Sequence, residues 1–274
     1  MNIHQLAYQA LMESDIELKL QQATKLYSEY KDQQPVLSDS SIKKTPIPGR
    51  PIKPELVSPK KLKHRKLTSK SGRVNLIHAV THIEFNAINL ALDAVYRFRN
   101  MPAKFYIDWL QVAAEEAYHF GLLRERLEKM GHYYGELPAH NGLWEMTVRT
   151  DHDVMVRMAL VPRVLEARGL DVTPGMMQRL EDAGDQETVN ILKIILKDEI
   201  GHVTIGSKWF HYCCTQRALD PLKTFRELLL EYMGAPLRSP FYTEARLQAG
   251  FSQQELNELL AMEKQWIMDQ KHLS

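Results

Sequence analysis

Cysteine is nearly absent from this chain of 274 residues: Cys213 and Cys214 are the whole supply, and they are neighbours. Adjacent cysteines make a poor disulfide pair, so a disulfide-stapled fold is excluded and free, buried thiols in a reducing cytoplasm are expected. No apolar run approaches the ~20 residues a bilayer-spanning helix needs, so no membrane span is expected. Glu13, Asp15 and Glu17 interrupt the stretch where a signal peptide would carry its apolar core. Long runs of alternating β-branched residues are missing too, which makes the expected fold class all-α. Flavin, nicotinamide and iron–sulfur motifs are missing, so an oxidoreductase built on this chain would draw electrons from a partner or from its substrate.

Strong net charge is also lacking, at +1 overall, but the distribution is uneven. Residues 43–73 hold eleven Lys or Arg against one acid, Glu55, which leaves about −9 on the rest of the chain. Pro46, Pro48, Pro51, Pro54 and Pro59 exclude continuous helix there. The segment reads as an extended basic arm. Such an arm can bind the phosphates of nucleic acid or a membrane, but the acidic remainder makes the helices of its own chain, or of a partner subunit in a homo-oligomer, the expected surface.

Capping residues and breakers divide the rest into helices. Residues 1–70 are expected to form an N-terminal helical region and the arm, 71–216 a four-helix bundle, and 217–274 a C-terminal helical extension. Within the bundle, Ser71 is the expected cap of the first helix, and Gly131 closes the second. The long crossing that follows contains Gly135, Pro138 and Gly142. Asp151 is expected to start a third helix that Gly169 stops, with Thr173-Pro174 opening a short separate one. Asp185 caps the fourth. Beyond the bundle, Asp220-Pro221 opens one helix and Ser252-x-x-Glu255 forms a capping box for another.

Four glutamates and two histidines fall on the apolar stripes of these helices: Glu84, Glu116-x-x-His119, Glu166 and Glu199-x-x-His202. An i,i+3 pair on a helix is separated by about 60° and one turn, so both side chains can reach one point. Glu116 and His119 share their stripe with Trp109, Val112, Phe120 and Leu123. Glu199 shares its own with Leu192, Ile195 and Val203. Four carboxylates meeting in one interior require positive charge, because a buried unpaired carboxylate costs several kcal/mol or is neutralised. Two divalent metals would supply it. One Glu from each of two helices plus a Glu-x-x-His from each of two others is the arrangement of di-iron and di-manganese bundles. Glu84 precedes Glu116 by 32 residues and Glu166 precedes Glu199 by 33, a weak internal repeat visible in the ligands alone. Pro162, four residues before Glu166, removes a backbone donor and predicts a kink beside that ligand. His78 and His82 lie on a different face from Glu84 and are expected to contact the arm or solvent.

The segments HAVTHIEFNAINLALDA (78–94), AAEEAYHFGLL (113–123), ALVPRVLEARGLD (159–171) and ILKIILKDEIGHVTIG (191–206) resemble the ferritin-like superfamily of di-metal carboxylate proteins, and more closely an uncharacterised bacterial branch of it. The resemblance covers roughly residues 70–215. It implies a ferritin-like four-helix bundle with a long crossover and a bridged dinuclear site. It also implies that Asp198 orients His119 and Glu115 orients His202, each carboxylate accepting from the ring nitrogen that faces away from the metal.

Carboxylate and imidazole ligands without thiolate suit two iron ions, or manganese or a mixed pair, rather than structural zinc. The leading expectation is a nonhaem di-iron oxidoreductase that uses dioxygen on an organic small-molecule substrate, in the manner of an oxygenase or hydroxylase. Alternatives are a ferroxidase or peroxidase, a tRNA-modifying hydroxylase that uses the basic arm, and a non-catalytic scaffold stabilised by metal.

Overall fold

The computed structural model describes residues 2–37, 41–62 and 66–272. Among them the regular structure is helical, and the β component is a single isolated bridge between Leu56 and Ala139. The helices are α1 (Ile3–Met12), α2 (Ile16–Tyr30), α3 (Lys70–Arg97), α4 (Ala103–Lys129), α5 (Gly142–Arg149), α6 (Val154–Leu160), a π-helical segment (Val161–Glu166), α7 (Ala167–Asp182), α8 (Gln186–Gln216), α9 (Pro221–Met233), α10 (Thr243–Gln248) and α11 (Gln253–His272). No described helix is long and apolar enough to cross a membrane. The chain divides into two compact units, Met1–Asp151 with Met177–Leu192, and His152–Met176 with Lys193–Ser274.

The first unit is centred on α3, which packs against α1, α4 and α5. From Phe85 to Arg97 every α3 side chain is buried, including those on the polar face, because neighbours cover it from several directions. That burial leaves polar groups needing partners, and they find them. Asp93 takes Arg97 bidentately at 2.7–3.0 Å. Asn89 accepts from Lys19 Nζ at 2.6 Å, and the same ammonium donates to the carbonyls of Ala10 and Leu11 at the end of α1. Burial pushes the Lys19 ammonium down to about 7. Ser69, not Ser71, caps α3, accepting from Gly72 N at 3.1 Å. Asp185 caps α8 as expected, through Thr188 N at 3.1 Å.

The described part of the basic arm lies on its own unit. Gly49 N donates to Leu11 O at 2.9 Å, and a Cβ at Gly49 would stand 2.2 Å from the Met12 carbonyl carbon, so the crossing admits only glycine. Val57 N and Ala139 N close the bridge at 2.8 and 3.0 Å, and Trp144 donates its indole N–H to Pro46 O at 3.0 Å. The arm is therefore held by backbone and aromatic contacts more than by the acidic helices. Among the described residues, Arg73 pairs with Asp185 at 3.4 Å, while Lys43, Lys44, Lys53, Lys60, Lys61, Lys66 and Lys70 are exposed. Lys63 and Arg65 lie outside the described residues.

His78 and His82 are buried rather than turned to solvent, and among the described residues their hydrogen bonds do not reach the arm. His78 Nε2 accepts from Gly135 N at 2.9 Å and His82 Nδ1 meets the Tyr134 hydroxyl at 2.9 Å, both in the crossing between α4 and α5, while His82 Nε2 meets Asn86 Nδ2 on α3 at 3.0 Å. Tyr134 stacks on both rings and packs on Phe85 and Phe120. Burial holds each imidazole down at about 4. The polar stripe of α3 is thus a clamp on a long loop.

In the second unit, Asp153, not Asp151, caps α6, accepting from Met155 N at 2.7 Å. Gly169 does not stop the third bundle helix, and Thr173-Pro174 does not begin a separate one. α7 runs through both, with Pro174 inside it. Glycine accepts helical angles as readily as any others, and burial of Ala167 and Leu170 favours continuing the helix past Gly169. The core of this unit contains a fully buried arginine. Arg163 pairs with Glu255, and its guanidinium lies 4.7, 4.4 and 4.4 Å from the ring centres of Phe210, Phe225 and Phe251. Glu255 also closes the expected capping box with Ser252, at 2.7 and 3.1 Å. Cys213 and Cys214 are buried, and burial pushes both thiols up to about 11.

Candidate metal centre

Glu84 sits near the middle of α3, and Glu116 with His119 near the middle of α4, the helix that follows after a short link and packs along α3. The stripe that buries Phe85, Ile88 and Leu92 on one helix and Val112, Phe120 and Leu123 on the other carries all three polar side chains into the interior. His119 Nδ1 lies 3.5 Å from Glu84 Oε2 and 3.4 Å from Glu116 Oε2. One donor atom from each residue falls within 4.8 Å of the others, so the cluster could hold a metal ion.

Two carboxyls and one imidazole share this buried pocket and shift one another's titration. Burial pushes the Glu84 carboxyl well above the usual carboxylate range, and neighbouring Glu116 pushes it further. Burial acts to lower His119, but the hydrogen bonds its ring N–H donates to Glu116 and Glu84 override it and raise the imidazole to about 11. The imidazolium thus faces the Glu116 carboxylate and a Glu84 carboxyl held toward its neutral form, all three buried. Oxygen and imidazole donors at this density fit a first-row divalent cation, whose charge would relieve both carboxylates at once.

The second unit carries the matching triad of residues. His202 is fully buried on α8, with Nδ1 3.7 Å from Glu199 Oε2. Glu166 is buried at the last position of the π-helical segment. Among the described residues, Glu166, Glu199 and His202 do not close into a three-donor cluster of the first kind. Glu115 accepts from Gln111 Nε2 on its own helix at 3.0 Å, and Asp198 is half-buried on α8.

The kink expected at Pro162 is a π-helical segment, Val161–Glu166. Proline supplies no N–H to the carbonyl four residues back, so the ladder widens locally. Gly206, one turn beyond His202, is what makes room for it: a Cβ there would lie 2.4 Å from both Cβ and Cγ of Pro162. This Pro–Gly contact went unread in the sequence. Its only signal is a glycine inside an otherwise helical, apolar stripe, which often marks close approach of another backbone or ring.

Residues 12–257 match the family described as "Protein of unknown function (DUF455)". The chain belongs to the DUF455 family. That match spans all six candidate ligands of this DUF455 chain. It is also similar to an uncharacterized protein of Haemophilus influenzae, 49% identical over 225 residues that cover 80% of this chain and 78% of the relative. No solved structure matches.

Proposed function

We propose that this DUF455 protein is a nonhaem dinuclear oxidoreductase, with a ferritin-like bundle of α3, α4, α6 to α7, and α8. In this reading Glu84, Glu116, His119, Glu166, Glu199 and His202 hold two iron ions, or manganese in place of one or both. The observation that carries the reading is the buried Glu84–Glu116–His119 cluster, whose donor atoms gather within 4.8 Å of one another. The second Glu-x-x-His, Glu199 and His202, repeats the geometry of the first on α8.

The residues have distinct tasks. His119 and His202 would each offer a ring nitrogen, and Glu84, Glu116, Glu166 and Glu199 would offer carboxylate oxygens. Glu115 and Asp198 accept from the outer ring nitrogens of the histidines and fix their tautomer. The Pro162 π-segment sets where Glu166 enters the centre, and a π-bulge is a frequent feature of functional sites. The apolar stripes exclude bulk water. A reduced metal pair, when bound, would supply the redox chemistry for dioxygen, with reducing equivalents from a partner protein or from the organic substrate.

The test is anaerobic reconstitution with ferrous ion followed by measured oxygen uptake, in wild type and in Glu116→Ala. Stoichiometric uptake by wild type alone supports the reading. Metal-dependent thermal stabilisation with no oxygen uptake would replace it by the scaffold reading.

A further inference from the structure

A second site lies wholly within the second unit. The outer side of the π-segment and α7, with the loop that leaves α9, encloses a cavity of about 220 Å³. Its apolar wall includes Val164, Leu237 and Phe241, and three arginines stand on it, Arg168, Arg238 and Arg246. One carboxylate, Asp171, shares the cavity and is already committed: it takes Arg246 Nε and Nη2 at 2.8 Å each and Tyr242 N at 2.9 Å. The cavity is therefore left with an excess of two positive charges.

The arginines are held in place before any ligand arrives. Arg168 Nη1 donates to the carbonyls of Arg238 and Pro240 at 2.8 and 3.2 Å, which ties the loop to α7. The Arg238 guanidinium stacks over Trp266 at 4.7 Å. Arg246 is 1% exposed and is taken up by Asp171, so Arg168, whose Nη1 also lies 3.6 Å from Asp171 Oδ2, and the exposed Arg238 are the arginines that can meet a ligand. Guanidinium forks match planar carboxylates, and fixed side chains lose little entropy on binding.

We infer that this cavity is a binding site for a small amphipathic carboxylate, its head on the arginines and a short apolar body against Val164, Leu237 and Phe241. The volume is below the ~300 Å³ at which drug-sized pockets begin, so the body is a few carbons or one ring. Val164 and Arg168 flank Glu166 in the chain, so occupancy would bear on the segment that carries that residue. The inference stands apart from the metal reading, since the site uses none of the six candidate ligands.

The experiment is a titration of the full-length, metal-free protein with hexanoate, followed by calorimetry and ligand-observed NMR. Hexanol controls for the apolar body, and inorganic phosphate for charge alone. Saturable 1:1 binding of hexanoate is expected. The Arg168→Gln, Arg238→Gln double variant, made at residues outside the core, should weaken it by about tenfold or more, the loss of one charge-assisted hydrogen bond. Leu237→Trp, which fills the apolar end, should do the same. Hexanol should bind no better than the double variant binds hexanoate, and phosphate should not compete. Absence of saturable hexanoate binding, affinity unchanged in either variant, equal affinity for hexanol, or displacement by phosphate at equal concentration would each overturn the inference.

Discussion

Two buried charge clusters in this protein are built on opposite principles. Arg163 is enclosed by its own partners: Glu255 balances it and three phenylalanine faces receive its guanidinium. In the Glu84, Glu116 and His119 cluster, burial instead drives Glu84 toward its neutral form, and the two carboxyls hold His119 protonated. Folding alone explains the first cluster. The second could hold a metal ion, in an interior that apolar residues would otherwise pack at less cost.

The contrast can be broken by mutation. The largest expected effect is on the closed cluster: Glu255→Gln should cost about 3–5 kcal/mol, because it strands a buried guanidinium. Urea unfolding should show that loss equally with and without added metal. A metal-dependent loss would mean the two clusters are not independent.

Next comes the clamp that holds the α4–α5 crossing over α3. His78 titrates near 6.5 when unfolded and about 4 when folded, because burial disfavours its charged form. The unfolded chain therefore binds the extra proton between those values, so this histidine's stability contribution is full above pH 6.5 and is lost as pH falls toward 4. The loss is up to about 3 kcal/mol. The slope of unfolding free energy against pH should flatten in that window in His78→Asn, and an unchanged slope would remove the histidine from the account.

Gly206→Ala should cost about 1–3 kcal/mol by overpacking against the Pro162 ring. If Glu166 is a ligand, the variant should lose metal affinity along with stability. Affinity kept at wild-type level would separate the π-segment from the centre.

The smallest effect sharpens the comparison most. Glu84→Gln in metal-free protein should change stability by no more than about 1 kcal/mol, since its carboxylate is already disfavoured. The same variant should bind metal far more weakly. A large loss of metal-free stability would mean that the cluster is a structural ion pair of the Arg163 kind.

Much of this was legible beforehand, and what was not has physical causes. Periodicity placed Glu84, Glu116 and His119 on buried stripes, because the 3.6-residue repeat fixes which side chains share a face. Local caps were readable at Asp185, Asp220 and Ser252, where the side chain bonds the chain next to it. At Ser69 and Asp153 the reading missed by two residues, since several capable polar residues compete at those ends. Gly169 and Pro174 read as breakers, but tertiary burial carries α7 through both. His78 and His82 read as surface residues because their partners, Tyr134 and Gly135, lie more than fifty residues away. The Arg163 box draws on four separate helices, and no local pattern announces such a cluster.

The most direct test of the central claim is elemental analysis of the purified protein, before and after anaerobic ferrous reconstitution, beside Glu116→Ala and Glu199→Ala. The account predicts two iron or manganese ions per chain in wild type and their loss in both variants. No bound metal after reconstitution, in a protein that remains folded, would contradict it.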